Sequence, residues 1–277
     1  MIIGTRGSEL ALKQAELFII KSKLKDCKIK IIKTKGDIVK KPLQKIGLAI
    51  FTKELDKALL NRKIDLAVHS LKDIPVENFP ADLEIAAIPL RGDPRDCLIG
   101  EIKENSVVGT DSIRRRYEMN NLCPDLSFKS LRGNIHTRLR KLMDREYDAI
   151  IMAKVALDRL GLAKKIAKIL KIFPISQFVP AAGQGAIAIV KRKKDKFTFL
   201  KKNRLYDCCM LEREFIKGLG GCKKPVGAYC SNHYSNNSLK FHLTGLIYKN
   251  NKRTQVKFQG SKKELAKKIK EWKAKYT

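Results

Sequence analysis

At 277 residues the chain is too long for one ordinary small core, so two or three units of about 100 residues each are expected. An apolar fraction of 44% argues against disorder, no apolar run approaches the roughly 20 residues that span a bilayer, and the first residues lack the pattern of a secretory signal. The formal charge of +31 raises nucleic-acid binding first, yet most lysines are scattered over the whole chain and read as surface composition.

In chain order, Ile2-Ile3 reads as a strand end and Gly4-Thr5-Arg6-Gly7 as a turn. Ser8 reads as the N-cap of a helix carrying Leu10, Leu12, Ala15, Leu17 and Ile20. Lys28 to Lys33 alternates like a strand, Phe51 to Leu60 is helical, and Ile64 to Val68 and Leu83 to Ile88 are short buried strands. Strands alternating with helices imply parallel α/β layers. The turn-rich Arg91-Gly92-Asp93-Pro94 marks a boundary. Beyond it Val107-Val108-Gly109-Thr110-Asp111-Ser112, leading into a helix from Ile113 to Asn121, repeats the opening grammar. Further strands are expected near Phe128 to Leu131 and Tyr147 to Met152, and helices near Thr137 to Arg145 and Val155 to Leu160. Gln177 to Gly185, with Pro180, Gly183 and Gly185, is a second crossing, followed by a buried strand from Ala186 to Val190. From Asp207 the pattern changes to one helix, the turn Gly220-Gly221-Cys222, three strands, and a last helix with Leu265, Ile269 and Trp272 on one face. That is an α+β third domain.

Three constellations carry chemistry. Arg114-Arg115-Arg116 follows the Ser112 cap, Arg132 and Arg138 flank Gly133-Asn134, and Arg6 sits in the turn before Ser8. A helix N-terminus already carries partial positive charge, so arginines beside it make sense if a polyanionic ligand sits there. Val68-His69-Ser70-Leu71-Lys72-Asp73-Ile74-Pro75 follows a buried strand, at the sheet edge where α/β proteins keep ligands. There Asp73 is a carboxylate able to stabilise a cation or move a proton, while His69 reads as structural. In Gly220-Gly221-Cys222-Lys223-Lys224-Pro225 two glycines expose the thiol and two lysines favour the thiolate, which separates Cys222 from Cys27, Cys97, Cys123, Cys208, Cys209 and Cys230. With no CxxC pair among the seven, neither zinc nor a disulfide framework is expected.

Ile3-Gly4-Thr5-Arg6-Gly7-Ser8-x-Leu10-Ala11-Leu12-x-Gln14, Phe51-Thr52-Lys53-Glu54-Leu55, His69-Ser70-Leu71-Lys72-Asp73-Ile74-Pro75, Leu131-Arg132-Gly133-Asn134 with Thr137-Arg138-Leu139, Gly183-Gln184-Gly185-Ala186 and Gly221-Cys222 together resemble the porphobilinogen deaminase (hydroxymethylbilane synthase) family, in its order and from residue 2 to about 230. The resemblance implies two periplasmic-binding-protein-like α/β domains plus a small α+β C-terminal domain. Residues 1–90 plus about 183–203 would form the first, carrying the catalytic Asp. Residues 94–179 would form the second, Arg-rich side of the cleft, and 205–277 the third, carrying the cofactor cysteine.

It further implies a transferase that condenses four porphobilinogen molecules head to tail, releasing ammonia, on a dipyrromethane held covalently by Cys222. Water then frees the linear tetrapyrrole, in tetrapyrrole and haem biosynthesis. Asp73 would be catalytic. Lys72, Asp37, Thr110, Ser112, Arg114, Arg115, Arg132, Gly133, Gln184 and Phe51 would bind the cofactor. Arg6, Ser8, Gln14, Arg138 and Arg159 would bind substrate carboxylates, and no metal is expected. A cytoplasmic monomer, with neither nucleic acid nor membrane as partner, is implied. One departure is Leu48 in Gly47-Leu48-Ala49-Ile50-Phe51, where the family usually carries a lysine. Two rival functions are a non-catalytic carboxylate-binding protein of the same fold and a basic nucleic-acid-binding protein. The few aromatics are not interleaved with the basic residues as stacking platforms require.

Overall fold

The structure is a computed structural model that describes residues 1–34, 52–221, 224–235 and 238–276. Strand β1 (Ile2–Thr5) leads into helix α1 (Glu9–Lys21), which is followed by β2 (Lys28–Ile31). Helix α2 (Lys53–Leu60), β3 (Leu66–Ser70), a 3-10 turn (Leu71–Asp73) and β4 (Leu83–Arg91) follow. After the first crossing come β5 (Asp96–Gly100), β6 (Val107–Gly109), helix α3 (Ile113–Leu122), β7 (Ser127–Lys129), helix α4 (Ile135–Met143), β8 (Ala149–Ala153), helix α5 (Lys154–Arg159) and β9 (Leu170–Ile172). The chain then returns through β10 (Ala186–Arg192) to helix α6 (Arg204–Ile216). It ends in the strands β11 (Val226–Ser235), β12 (Ser238–Lys249) and β13 (Lys252–Gly260) and helix α7 (Lys262–Tyr276).

The first sheet has the order β2-β1-β3-β10-β4 and the second the order β7-β6-β8-β5-β9. These are the same topology twice, each with one inner strand running against its neighbours. β10 is antiparallel to β3 and β4, and β5 to β8 and β9. The parallel layers expected from the alternation of strands and helices are, in the structure, mixed sheets: the parallel pairs β1–β2, β1–β3, β6–β7 and β6–β8 are joined by one antiparallel strand in each. The reversed strands are those that the chain lays down as it crosses from one sheet to the other. An α/β fold of two like units plus a small α+β unit is the observed class.

Both large sheets are buried on both faces, which is why their strands read as continuous apolar runs. In the first sheet, Leu66, Val68, Ile187 and Ile189 pack with Phe18 and Ile3 on one face, while Ala67, Ala188 and Val190 pack with Leu55, Leu59 and Ile88 on the other. In the second, Leu98, Val108 and Ile151 face Phe178 and Met119, and Cys97, Ile99, Ile150 and Met152 face Leu142 and Leu157. The third sheet lays Phe241, Leu243 and Ala228 against Phe215 of α6 and Leu265 and Ile269 of α7. No described helix is long and apolar enough to cross a membrane.

Two buried carboxylates tie the parts together. Glu212 on α6 is fully buried and accepts from Arg91 Nη1 at 2.6 Å, Gly183 N at 2.7 Å and Cys230 N at 2.8 Å. It thereby links both crossings to the third sheet. Glu118 on α3 accepts from Val179 N, the Tyr248 hydroxyl and Arg253. The crossings lie close together: a Cβ on Gly185 (φ +86°) would stand 2.6 Å from the carbonyl oxygen of Gly92, so only glycine fits there.

Candidate active site

Three helix N-termini present their first turns through the same local chemistry. Ser8 Oγ accepts from Ala11 N at 3.3 Å, Ser112 Oγ from Arg115 N at 3.4 Å, and Asn134 Oδ1 from Thr137 N at 2.8 Å. Each cap removes one unpaired donor and leaves the rest of the turn facing outward. Gly133, just before the third cap, has φ +111°, and a Cβ there would sit 2.6 Å from Thr137 Cγ2.

The carboxyl end of β3 carries Ser70, bonded to Gln14 of α1 at 2.9 Å, and then the turn holding Lys72 and Asp73. Arg6, Ser8, Gln14, His69, Ser70 and Asp73 line a small cavity of about 60 Å³. Among the described residues no hydrogen bond holds the Asp73 carboxylate, which is partly exposed. His69 is buried, and burial, then the charge of Arg6, lowers its pKa to about 4, so the ring is neutral at ordinary pH. Its Nε2 finds no partner among the described residues.

A second cluster centres on Asp96, the first residue of β5, which is fully buried. Its Oδ2 accepts from Arg114 Nη2 at 2.7 Å, and its Oδ1 from Arg115 Nη2 at 2.8 Å and Gln184 Nε2 at 3.0 Å. Burial by itself would raise this carboxyl, but Arg114, Arg115, Gln184 and Lys72 outweigh it and hold the pKa at about 2. Lys72 Nζ donates to Gln184 Oε1 at 3.2 Å. Burial, then the neighbouring Arg115, lowers the Lys72 ammonium to about 8. One chain of polar contacts thus runs from the residue beside Asp73 to the first turn of α3.

The third cluster surrounds α4. Arg132 pairs with Asp111 at 3.1 Å, and Arg138 Nε donates to the Gly133 carbonyl at 2.8 Å. Burial, then Arg115, lowers the Arg138 guanidinium to about 10; Asp73 and Arg132 also lie within its electrostatic reach. Arg159 donates to the Gly185 carbonyl at 2.7 Å and is likewise lowered to about 10 by burial.

The structure therefore gathers Arg6, Ser8, Gln14 and Asp73 on one side, Lys72, Gln184, Arg114 and Arg115 in the middle, and Arg132, Gly133 and Arg138 beyond. Arg159 stands at the crossing. Thr110 is buried, its hydroxyl accepting from Ser112 N at 3.2 Å and its carbonyl from Arg116. Cys222, Asp37 and Phe51 lie outside the described residues. Arg114 also donates to the Val179 carbonyl at 2.7 Å, so its guanidinium is largely committed within the protein. Asp96, which sequence reasoning did not single out, cancels one of the two charges of Arg114 and Arg115. Asp96 was missed because it is a lone acid opening the apolar run Cys97-Leu98-Ile99. A carboxylate at the head of a buried strand was its only signal, since such a group needs a cation.

Whether a dipyrromethane bearing several carboxylates fits can be judged from Arg138. Its guanidinium is pulled down by burial beside Arg115, and its Nε donates to a neutral carbonyl, that of Gly133. Carboxylates placed there would relieve that repulsion and accept bidentate hydrogen bonds. The donor set fits the group.

Fold and site together set one partly exposed carboxylate, Asp73, among arginines and a lysine, a donor set that suits a ligand bearing several carboxylates. Residues 1–199 match the family described as "Porphobilinogen deaminase, dipyromethane cofactor binding domain", and residues 206–272 match "Porphobilinogen deaminase, C-terminal domain". The chain is 46% identical over 250 residues to the porphobilinogen deaminase of Helicobacter acinonychis, covering 83% of this chain and 80% of that one. It is 44% identical over 242 residues to the probable porphobilinogen deaminase of Archaeoglobus fulgidus, covering 83% of each. Among solved structures, an ABC transporter protein from Parabacteroides distasonis aligns over 69% of this chain and 65% of that one, with a TM-score of 0.44 and 10% identity. The chain belongs to the porphobilinogen deaminase family.

Proposed function

We propose that the chain is a hydroxymethylbilane synthase: it joins four porphobilinogen molecules head to tail, with loss of ammonia, and releases the linear tetrapyrrole by hydrolysis. What supports this reading is that Asp73 lines one cavity with Arg6, Ser8 and Gln14 and lies within electrostatic reach of Lys72 and Arg138. When bound, the dipyrromethane supplies the unsubstituted pyrrole carbon on which the chain grows, and Cys222 is its anchor. Asp73 faces the cationic ring left when ammonia departs from porphobilinogen, stabilises it, and accepts the ring proton displaced by the new carbon–carbon bond. Arg6, Ser8, Gln14, Arg138 and Arg159 bind the carboxylates of the substrate. Lys72, Arg114, Arg115 and Arg132 hold those of the cofactor, with Thr110, Ser112, Gly133 and Gln184 beside them. Asp37 and Phe51 complete the set by family resemblance. Residues 1–90 with about 183–203, 94–179 and 205–277 act as three domains, in a cytoplasmic monomer.

Intact-mass spectrometry of the purified chain tests this. A mass increase equal to two linked pyrroles, lost in Cys222→Ser, and larger discrete increments after incubation with porphobilinogen are expected. An unmodified chain after incubation would sink the catalytic proposal.

Lys72 gives a second expected result. A lysine lowered toward about 8 loses its charge as pH rises, and bound carboxylates shift that loss upward toward the ordinary 10.5. kcat/KM for porphobilinogen should therefore fall on the alkaline side of pH 8, since that ratio reports groups of the free protein. Lys72→Arg should abolish this limb, because guanidinium stays charged. A limb that persists in Lys72→Arg assigns the titration to another group.

A further inference from the structure

Strand β13 is an outer strand of the third sheet, and its far edge is open. The hairpin leading into it turns through Asn250 and Asn251, with φ of 51° and 60°, so Lys249 and Lys252 close the turn as a hydrogen-bonded pair. From that pair the ladder alternates. Thr254, Val256 and Phe258 bond to β12, whereas the N–H and C=O groups of Gln255, Lys257 and Gln259 point outward. A cavity of about 800 Å³ lies along this outward side, bounded by Lys257, Phe258 and Gln259 on the strand and by Lys268, Trp272 and Lys275 on α7. None of these residues is assigned to the cleft.

Phe258 and Trp272, half-buried and with ring centroids 6.4 Å apart, give the groove an apolar floor. Around it stand Lys240, Lys257, Lys268 and Lys275 with two glutamates. Glu264 is committed to the start of α7, where it accepts from Ser261 N at 2.6 Å, and Glu271 pairs with Lys267 at 3.8 Å. Lys268 donates to the Gln259 carbonyl at 2.8 Å, so one outward group of the edge already draws a donor to itself. Lys257 and Lys275 are exposed, and among the described residues neither has an acidic partner within ion-pair distance.

We infer that this edge receives an extended acidic segment of a partner protein, which adds beside β13 as a fourth strand. The outward N–H and C=O groups supply the main-chain hydrogen bonds that strand addition uses. Lysines along an open edge turn away basic chains and further copies of this one, and leave an acidic strand as the complement. Alternation sets the pattern within that strand. Lys257 and Gln259 stand on the outer face of the sheet, and Phe258 on the inner face beside Trp272. A segment that alternates acidic with apolar residues meets both at once. Residues 257–260 offer it about 13 Å of edge.

The chain's one tryptophan, Trp272, lies in this groove and reports its occupancy by fluorescence. The probe is a blocked hexapeptide of alternating glutamate and valine, titrated into the purified full-length protein. A saturable change in Trp272 emission at micromolar peptide is expected, weakening as salt rises. Lys257→Glu combined with Lys275→Glu, both at exposed positions, should weaken binding by at least roughly tenfold. The same peptide N-methylated throughout keeps its charge but has no N–H to donate to the edge, and it should not bind. Equal binding by the N-methylated peptide, or by a single-stranded oligonucleotide of the same charge, would reduce the groove to a general anion-attracting surface and overturn the proposal. So would unchanged emission with the unmodified peptide.

Discussion

Asp73→Asn is expected to keep the fold and the covalent cofactor while lowering turnover by roughly a thousandfold. Asparagine has the same shape, and the position is partly exposed at the end of a 3-10 turn whose packing rests on Leu71 and Ile74. On the proposed mechanism the variant loses the negative charge beside the cationic ring and the acceptor for its proton. Lys72 and Arg138, both within reach of that carboxylate, would then face the developing cation with nothing between them. Ammonia release and tetrapyrrole formation measured side by side give the readout, with intact mass as the check on cofactor content. A rate within tenfold of wild type would remove Asp73 from the chemistry.

The second large effect is expected at Asp96. Asp96→Asn leaves Arg114 and Arg115 buried without their shared counter-charge, and breaking a buried ion pair from one side costs about 3–5 kcal/mol. For a chain of this size that corresponds to a fall of roughly 10 °C in the unfolding midpoint. The pH dependence has a definite sign. The carboxyl is held at about 2 in the folded protein, below its ordinary 3.8, so its contribution is complete above 3.8 and is lost as pH falls through 2. The stability gap between wild type and variant should therefore be widest near neutrality and close in acid. A gap that stays constant down to pH 2 would show that the carboxylate is not held by the arginines.

Local chemistry made much of the fold legible. Ser8 and Ser112 are recognisable as caps because a short side-chain acceptor precedes an apolar period, and both do cap helices. The strand before Lys72 and Asp73 is legible because its residues are apolar without alternation, as a strand covered on both faces must be. Strand direction was not. An apolar run such as Ala186 to Val190 carries no mark of whether its neighbours run with or against it, and the antiparallel insertions of β10 and β5 follow only from the path of the crossings. In the site, the arginines were visible as residues but their partners were not. Asp96 lies well before Arg114 in the chain, and Glu118 and Glu212 sit in helices whose apolar neighbours conceal that a carboxylate is buried among them.

The insertion of β10 between β3 and β4 has a consequence for how the protein is made. A ribosome delivers β3 and β4 long before β10, so the nascent first sheet emerges with a gap between β3 and the outer strand β4 and two open strand edges facing it. Those edges cannot pair with each other in the native register, because the missing strand belongs between them. The second sheet, by contrast, has all its strands within one continuous stretch and can close as soon as Ile172 is out. The later-synthesised unit is thus free to fold first, and the earlier one waits, its edges exposed to pairing with other chains, until residue 192 arrives.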